Sequence, residues 1–508
     1  MTLRRFALLL CLLLPVALSG CAKETPAEHA ANVYAQNEVD AAPPYGNLPD
    51  YSLPAGELAT ATHLTHVHMT MHFAEEAWGI VSLLLLLWLG VIGWMRDRAL
   101  RIGQVRALQV VMFPWSFFEL TCLIATVPEI LLIVSSAAAK TKLALGIAIF
   151  VAAFVVMWFF RKPLRAASYW WVEGHAFLFL YILAGTLLSL PLDLYEQHLE
   201  LKYALSVQSW GSWFGDQAKA FGMTWVGGGL LLMLLFWIIR KFPQRWWLVF
   251  WLCTIPVIFF GIFVSPYIEP AFNKYEPLTK TNPGLVAKLE EVVQKGNMNI
   301  PPERMFLMKA SAKVTTLNAD VEGFGASKRV VVWDNTITKA TPDEIVMVFG
   351  HESGHYVLGH IAKGLTFSIV LLLVTIYLGF LFVQWALRKF GVAWKIPAQE
   401  DWAALAVLLL AFSIFGAITE PMNSAYTRSQ EHAADVYGQE AVHGIVANPQ
   451  AAAQGAFDVL GETSLADPNP NQFYEFWTYS HPAIGRRAAF AKVYDPWAPG
   501  FEPKYFKK

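Results

Sequence analysis

Charge is scarce in this sequence. Only 15% of its 508 residues are Asp, Glu, Lys or Arg, against about 25% in soluble domains. By contrast 56% are hydrophobic and the mean hydropathy is +0.41. That balance argues against a soluble globule and for an integral membrane protein. Net charge is −1, so there is no basic excess to draw the chain to nucleic acid. Cysteine is nearly absent too. Cys11, Cys21, Cys122 and Cys253 show no CxxC spacing, and the last two sit inside apolar runs. Neither a disulfide framework nor a cysteine-ligated zinc is expected.

The N-terminus has the form of a secretion signal. Arg4 and Arg5 precede an apolar core over 6–17, and "LSGC" ends at Cys21. The core is short for a spanning helix and suits a signal. "LSGC" resembles a bacterial lipobox, which implies cleavage before Cys21 and a lipid on it. An uncleaved first membrane helix is the competing reading. Residues 22–76 are polar and read as an extracytoplasmic linker, with room for a helix leading into the first span. This linker holds His63, His66, His68 and His72. Such a cluster has the chemistry to bind metal, but no carboxylate reads with it. The end of an amphipathic helix at a membrane surface accounts for it as well.

Runs apolar enough to span follow at 78–95, 109–136, 143–160, 172–192, 222–239, 246–264, 362–385 and 403–419. Glu119 and Glu129 lie within the second. Acidic groups in a span face protein or water, so they mark a polar cavity or structural hydrogen bonds. The basic stretches 96–106, 161–165, 240–245 and 387–395 each follow an odd-numbered span. All four loops then share one face, which the positive-inside rule makes cytoplasmic. The long stretches 193–221, 265–361 and 420–508 fall on the opposite face.

Residues 265–361 form a polar insertion. The run 285–296 has helical spacing, and 304–309 and 329–334 read as strands. Thr341, Pro342 and Glu344 then make a helix start with a capping box. On that helix "HESGH" fits H-E-x-x-H. His351 and His355 share a helix face and can present two nitrogens to one zinc, with Glu352 placed as general base. A catalytic zinc needs a third protein ligand and an open position. His360 lies five residues past His355, about 500° around an unbroken helix, and points off that face. Glu431 in "EHAAD" is the better candidate. It follows two further spans and so returns to the same membrane face. Asp435, i+4 from it, can hydrogen-bond a ligand histidine. A solvated helix face is the plainer reading of "EHAAD" taken alone.

Together these motifs resemble the Ste24 family of membrane zinc endopeptidases, which includes the CAAX prenyl proteases. "HESGHYVLGH" is similar to that family's H-E-x-G-H-x-x-x-G-H, "EHAAD" to its E-x-x-x-D, and "SHPAIGRR" to its H-P-x-x-x-x-R. The stretches 317–337 and 266–278 resemble the strand pair and the lead-in segment. The likeness covers roughly 190–490 and is weaker before that. It implies one Zn2+ held by His351, His355 and Glu431, catalysis by Glu352, and Asp435 orienting a ligand. It places His481 and Arg487 near the site, with His481 available to an oxyanion. Asn318 and Ala319 would lie beside a strand edge that binds extended substrate. A helical chamber would account for Glu119, Glu129 and the polar run 193–200. The family's well-known members present zinc to the cytosol, whereas the loop charges here place it outside.

The expected architecture is mainly α: a polytopic bundle of about seven or eight membrane helices enclosing a chamber, with a small α+β zinc-protease domain. Its parts are a signal (1–21), a linker (22–76), N-terminal membrane helices (77–264), the protease insertion (265–361), two more spans (362–419) and the rest of the protease domain (420–508). The expected activity is peptide-bond hydrolysis by a zinc-activated water, in a bacterial cell membrane, on peptide or protein substrates, lipidated or not, with no nucleic-acid partner. A quality-control protease resembling the HtpX branch is the alternative within the class. Outside it, a membrane transporter or scaffold with structural zinc would close the fourth ligand position and leaves Glu352 without a purpose.

Overall fold

A computed structural model describes residues 24–134, 139–323 and 328–507. The signal-like segment 1–21, with Cys21, lies outside the described residues, as do residues 324–327 of the expected strand pair.

Among the described residues, six helices are long and apolar enough to cross a bilayer: Ala55–Trp88, Arg106–Ala125, Ser168–Lys202, Trp210–Lys241, His360–Phe390 and Ala404–Ala441. Two shorter apolar helices, Ala144–Phe159 and Trp246–Ile262, fill the third and sixth expected positions. Pro114 and Pro128 do not break the second, which stays helical over Arg106–Val134. The first span departs from its expected limits. Its helix begins at Ala55, carries the four histidines and ends at Trp88. Gly90 then takes φ +74, a left-handed conformation that glycine adopts without strain, and a new helix runs over Val91–Gly103.

Trp246, Trp402 and Phe236 are buried inside the bundle, and Trp402 packs on Phe236 at 4.7 Å between ring centroids. Val110, Val111 and Phe159 instead stand exposed on its outside, as side chains facing lipid do. Three of the basic loops meet at one end. Arg96 donates to the Lys395 carbonyl (2.8 Å) and pairs with Asp401 (3.0 Å). Arg240 donates to the Glu400 carbonyl (3.2 Å).

The insertion folds around a four-stranded sheet of β1 (Tyr275–Pro277), β2 (Met305–Met308), β3 (Ala319–Glu322) and β4 (Arg329–Trp333), in the order β1-β2-β4-β3. Only β2 and β4 run parallel. The unbroken apolar run Val330, Val331, Val332 belongs to the interior strand β4, where all three are fully buried. Among the described residues β3 has one neighbouring strand, so its outer edge carries no strand partner there. Leu289 and Val292 of helix Pro283–Lys295 pack into the same core as Val330 and Val332.

Residues 26–53, read from sequence as part of a linker, are folded onto the C-terminal helices. Thr25 and Glu28 close a capping box on helix Pro26–Ala41, the same T-P-x-E signature that opens the motif helix. Its Ala27, Ala31 and Ala35 pack with Phe490 and Tyr494, and Glu28 pairs with Lys504 at 2.6 Å.

Candidate active site

The site begins with helix Pro342–Val357. The Thr341 hydroxyl accepts from the Glu344 amide (3.4 Å), and the Glu344 carboxylate accepts from the Thr341 amide (2.8 Å). This cap fixes the helix register and hence the face that carries His351 and His355. That face meets helix Ala404–Ala441 at backbone contact. A Cβ on Gly438 would fall 2.6 Å from the His351 amide nitrogen, and one on Gly350 would fall 3.0 Å from the Gly438 carbonyl. Only glycine permits so close a crossing.

The crossing brings Glu431 to the histidines. His351 Nε2 lies 3.2 Å from Glu431 Oε2, and His355 Nε2 lies 3.3 Å from Glu431 Oε1. The two Nε2 atoms are 3.0 Å apart. These three side chains form a cluster whose donor atoms all lie within 4.8 Å of one another. Glu431 Oε2 is buried and makes no hydrogen bond among the described residues, although His351 and His481 nitrogens each stand 3.2 Å away. Two imidazole nitrogens and a carboxylate gathered this closely suit a cation of N/O preference.

Behind the cluster, His351 Nδ1 sits 2.7 Å from Asp435 Oδ1. Arg487 clamps Asp435 with two bonds, Nε to Oδ2 at 2.9 Å and Nη2 to Oδ1 at 2.6 Å. A bidentate guanidinium is the arrangement that holds a buried carboxylate ionised. Burial opposes charge on His351, but the adjacent carboxylates of Asp435 and Glu431 outweigh it and push its pKa up to about 10. A cation binding there displaces that proton. Glu352 faces the cavity beside the first histidine, 3.9 Å from His351 Nε2, and burial raises its pKa. Burial first, and then the charge of Glu352, push the Asp320 carboxyl up to about 7.

The expected residues therefore converge. A cavity of about 780 Å³ is lined by Asn318, His351, Glu352, His481 and Arg487. A second of about 540 Å³ reaches Asp320, His355 and Glu431 from the other side. Ala319 begins the open-edged strand. The Asn318 carbonyl accepts from the Trp333 amide, so the backbone of Ala319 faces outward in the antiparallel alternation.

One detail differs from the sequence reading, and one that the sequence left open is decided. His360 does stay off the cluster, but not by continued helical rotation. The helix ends at Val357, Gly359 takes φ +70, and His360 opens the next helix. Its Nδ1 turns back to within 3.1 Å of His355 Nδ1, so it holds the second histidine as Asp435 holds the first. Gly359 was the signal for that break. Glu119 faces none of these cavities. It accepts from Trp115 Nε1 (2.8 Å) and lies 3.3 Å from His175 Nε2, a buried structural pairing. The side chain of Glu129 lies outside the described residues.

A membrane helix bundle with an H-E-x-x-H helix completed by a distant carboxylate defines the class of membrane metallopeptidases. The chain belongs to peptidase family M48. Residues 279–494 match that family, and residues 52–274 match the description "CAAX prenyl protease N-terminal, five membrane helices". The likeness thus reaches well ahead of the motifs that first suggested it. The uncharacterized metalloprotease YhfN of Bacillus subtilis is 33% identical over 334 residues, covering 65% of this chain and 76% of that one. CAAX prenyl protease 1 of Saccharomyces cerevisiae is 26% identical over 335 residues, covering 62% and 71%. The crystal structure of S. mikatae Ste24p shares the fold, with TM-score 0.56 at 19% identity over 77% of this chain and 98% of that one.

Gly438→Ala should cost roughly 1–3 kcal/mol by overpacking the crossing and lower bound metal. Thermal unfolding and metal analysis read both, and wild-type values in both would refute the crossing's role. Asp435→Asn should weaken metal affinity about 10–100-fold. Unchanged affinity in a competition with a chelator would contradict its orienting role.

Proposed function

We propose that this protein is a zinc endopeptidase in which His351, His355 and Glu431 hold the metal. The observation that carries this is the buried Glu431 Oε2, without a hydrogen bond yet faced by imidazole nitrogens at 3.2 Å. Two imidazoles and one carboxylate are the donor set of a catalytic zinc site with a free position. Zinc held there supplies Lewis acidity, which polarises the scissile carbonyl and lowers the pKa of water to about 7.

The chain's own groups do the rest. Asp435, locked by Arg487, keeps the His351 proton on Nδ1 and leaves Nε2 free toward the cluster. Glu352 takes the proton from the attacking water and delivers it to the leaving amine. The elevated pKa of Glu352, caused by burial, suits a group that must both accept and return a proton. His481, half exposed on the cavity wall, donates to the oxyanion. The outward edge at Ala319 adds an extended substrate as a further strand and so aligns its carbonyl.

Glu352→Gln should retain zinc and lose about 10²–10⁴ in kcat/KM, the usual worth of a general base. Full activity of that variant on a peptide would sink the mechanism.

We further propose that the catalytic side is extracytoplasmic in a bacterial membrane. Arg96 and Arg240, from two of the basic loops, both reach residues 395–401 beside a third at one end of the bundle. Helix His360–Phe390 starts at the site and ends near those loops. Its 31 residues span about 46 Å, enough to separate the two faces. A reporter fused after Lys508 should be active only outside the cytoplasm, and cytoplasmic reporter activity would reverse this assignment.

A further inference from the structure

Among the described residues, one further cluster of side chains with metal-ligand chemistry lies outside the site just described. His72 and Glu76 stand at i and i+4 on helix Ala55–Trp88 and so share a face. Glu420 comes to them from helix Ala404–Ala441. His72 Nε2 lies 3.2 Å from Glu420 Oε2 and 4.0 Å from Glu76 Oε2. One donor atom from each side chain falls within 4.8 Å of the other two. Ligands about 2.0–2.2 Å from a tetrahedral zinc lie roughly 3.3–3.5 Å apart, so this trio needs only a small adjustment to close on an ion.

We propose that His72, Glu76 and Glu420 form a second divalent-cation site, of zinc type, on the cavity wall. The charge balance asks for a cation. Two carboxylates from different helices converge on a single imidazole, and no lysine or arginine pairs with either among the described residues. Like charges so placed repel unless a proton or a cation joins them. All three side chains are more than two-thirds buried, with 23–29% of their surface exposed, which keeps water from screening that repulsion fully.

The layout repeats that of the first site. Both use two residues at i and i+4 on one helix and a glutamate from Ala404–Ala441. Glu420 and Glu431 are eleven positions apart, about three turns, so they share a face at a separation of about 16 Å. His72 and Glu420 line the same 780 Å³ cavity as Glu352 and His481. An ion here staples the helix that bears the histidine run to the helix that supplies Glu431. The other histidines have different partners: His66 packs on Tyr45 at 4.1 Å, and His68 lies 3.9 Å from Glu200.

Metal counting tests this. The full-length protein is purified in detergent, stripped with a chelator, reloaded with zinc, desalted and analysed by mass spectrometry for zinc per chain. Wild type should hold about two ions, and His72→Ala, Glu76→Gln and Glu420→Gln about one each. The two glutamine variants keep side-chain shape, and circular dichroism verifies their fold. His351→Ala should also hold about one, and adding Glu420→Gln should bring it to about zero. That separation makes the result independent of the catalytic reading. A wild-type count of about one, or a count that none of the three substitutions lowers, would overturn the second site.

Discussion

Two helices crossing at backbone contact is the constraint on which the site depends. Helix Pro342–Val357 brings two imidazoles and the Glu352 carboxylate, but no third donor to the cluster. Helix Ala404–Ala441 brings Glu431 and Asp435, but only if it lies against the first helix closely enough for a carboxylate to reach Nε2. Gly350 and Gly438 allow that approach, since a methyl group at either would meet main-chain atoms of the other helix within 3.0 Å. Packing through small residues is also how membrane helices associate when the hydrophobic effect between them is weak. The same contact therefore stabilises the fold and builds the site.

Charge is the second constraint. His351 is flanked by two carboxylates, Glu431 and Asp435, and one guanidinium answers them. Buried carboxylates persist only when paired or liganded. Arg487 satisfies Asp435 fully, leaving Glu431 with unmet capacity where the histidine nitrogens converge. Of the two carboxylates, the one with no arginine clamp is the one that faces both imidazole Nε2 atoms. The difference between a carboxylate whose bonds are met and one with capacity left over follows from where Arg487 sits.

Much of this was legible in the chain because it is local. The T-P-D-E start, the i and i+4 histidines and the E-x-x-x-D pair each depend on helical periodicity alone. The pairing of two distant helices was legible too, through the topological argument that two spans return the chain to one face. Contacts set by tertiary packing were not. His360 reaches His355 only because Gly359 interrupts the helix, and extrapolating a regular helix missed it. Glu119 left a polar cavity and structural hydrogen bonds both open, and the partner that decides between them, His175, lies on another span and carries no motif. The T-P-A-E start at Thr25 was as readable as that at Thr341, but the polar composition of residues 22–76 suggested a linker instead. Of the two carboxylates that meet His72, Glu76 stands one helical turn on and was readable, whereas Glu420 lies far along the chain.

The account stands or falls on the third ligand coming from the distant helix. The most direct measurement is peptide cleavage by Glu431→Gln protein, which removes the charge and keeps the shape. The account predicts that kcat/KM falls by more than about 10²-fold, beyond what loss of an orienting group alone produces, and that the drop accompanies loss of zinc from the site. Cleavage at the wild-type rate would contradict it, because the two histidines and Glu352 would then suffice without the helix crossing.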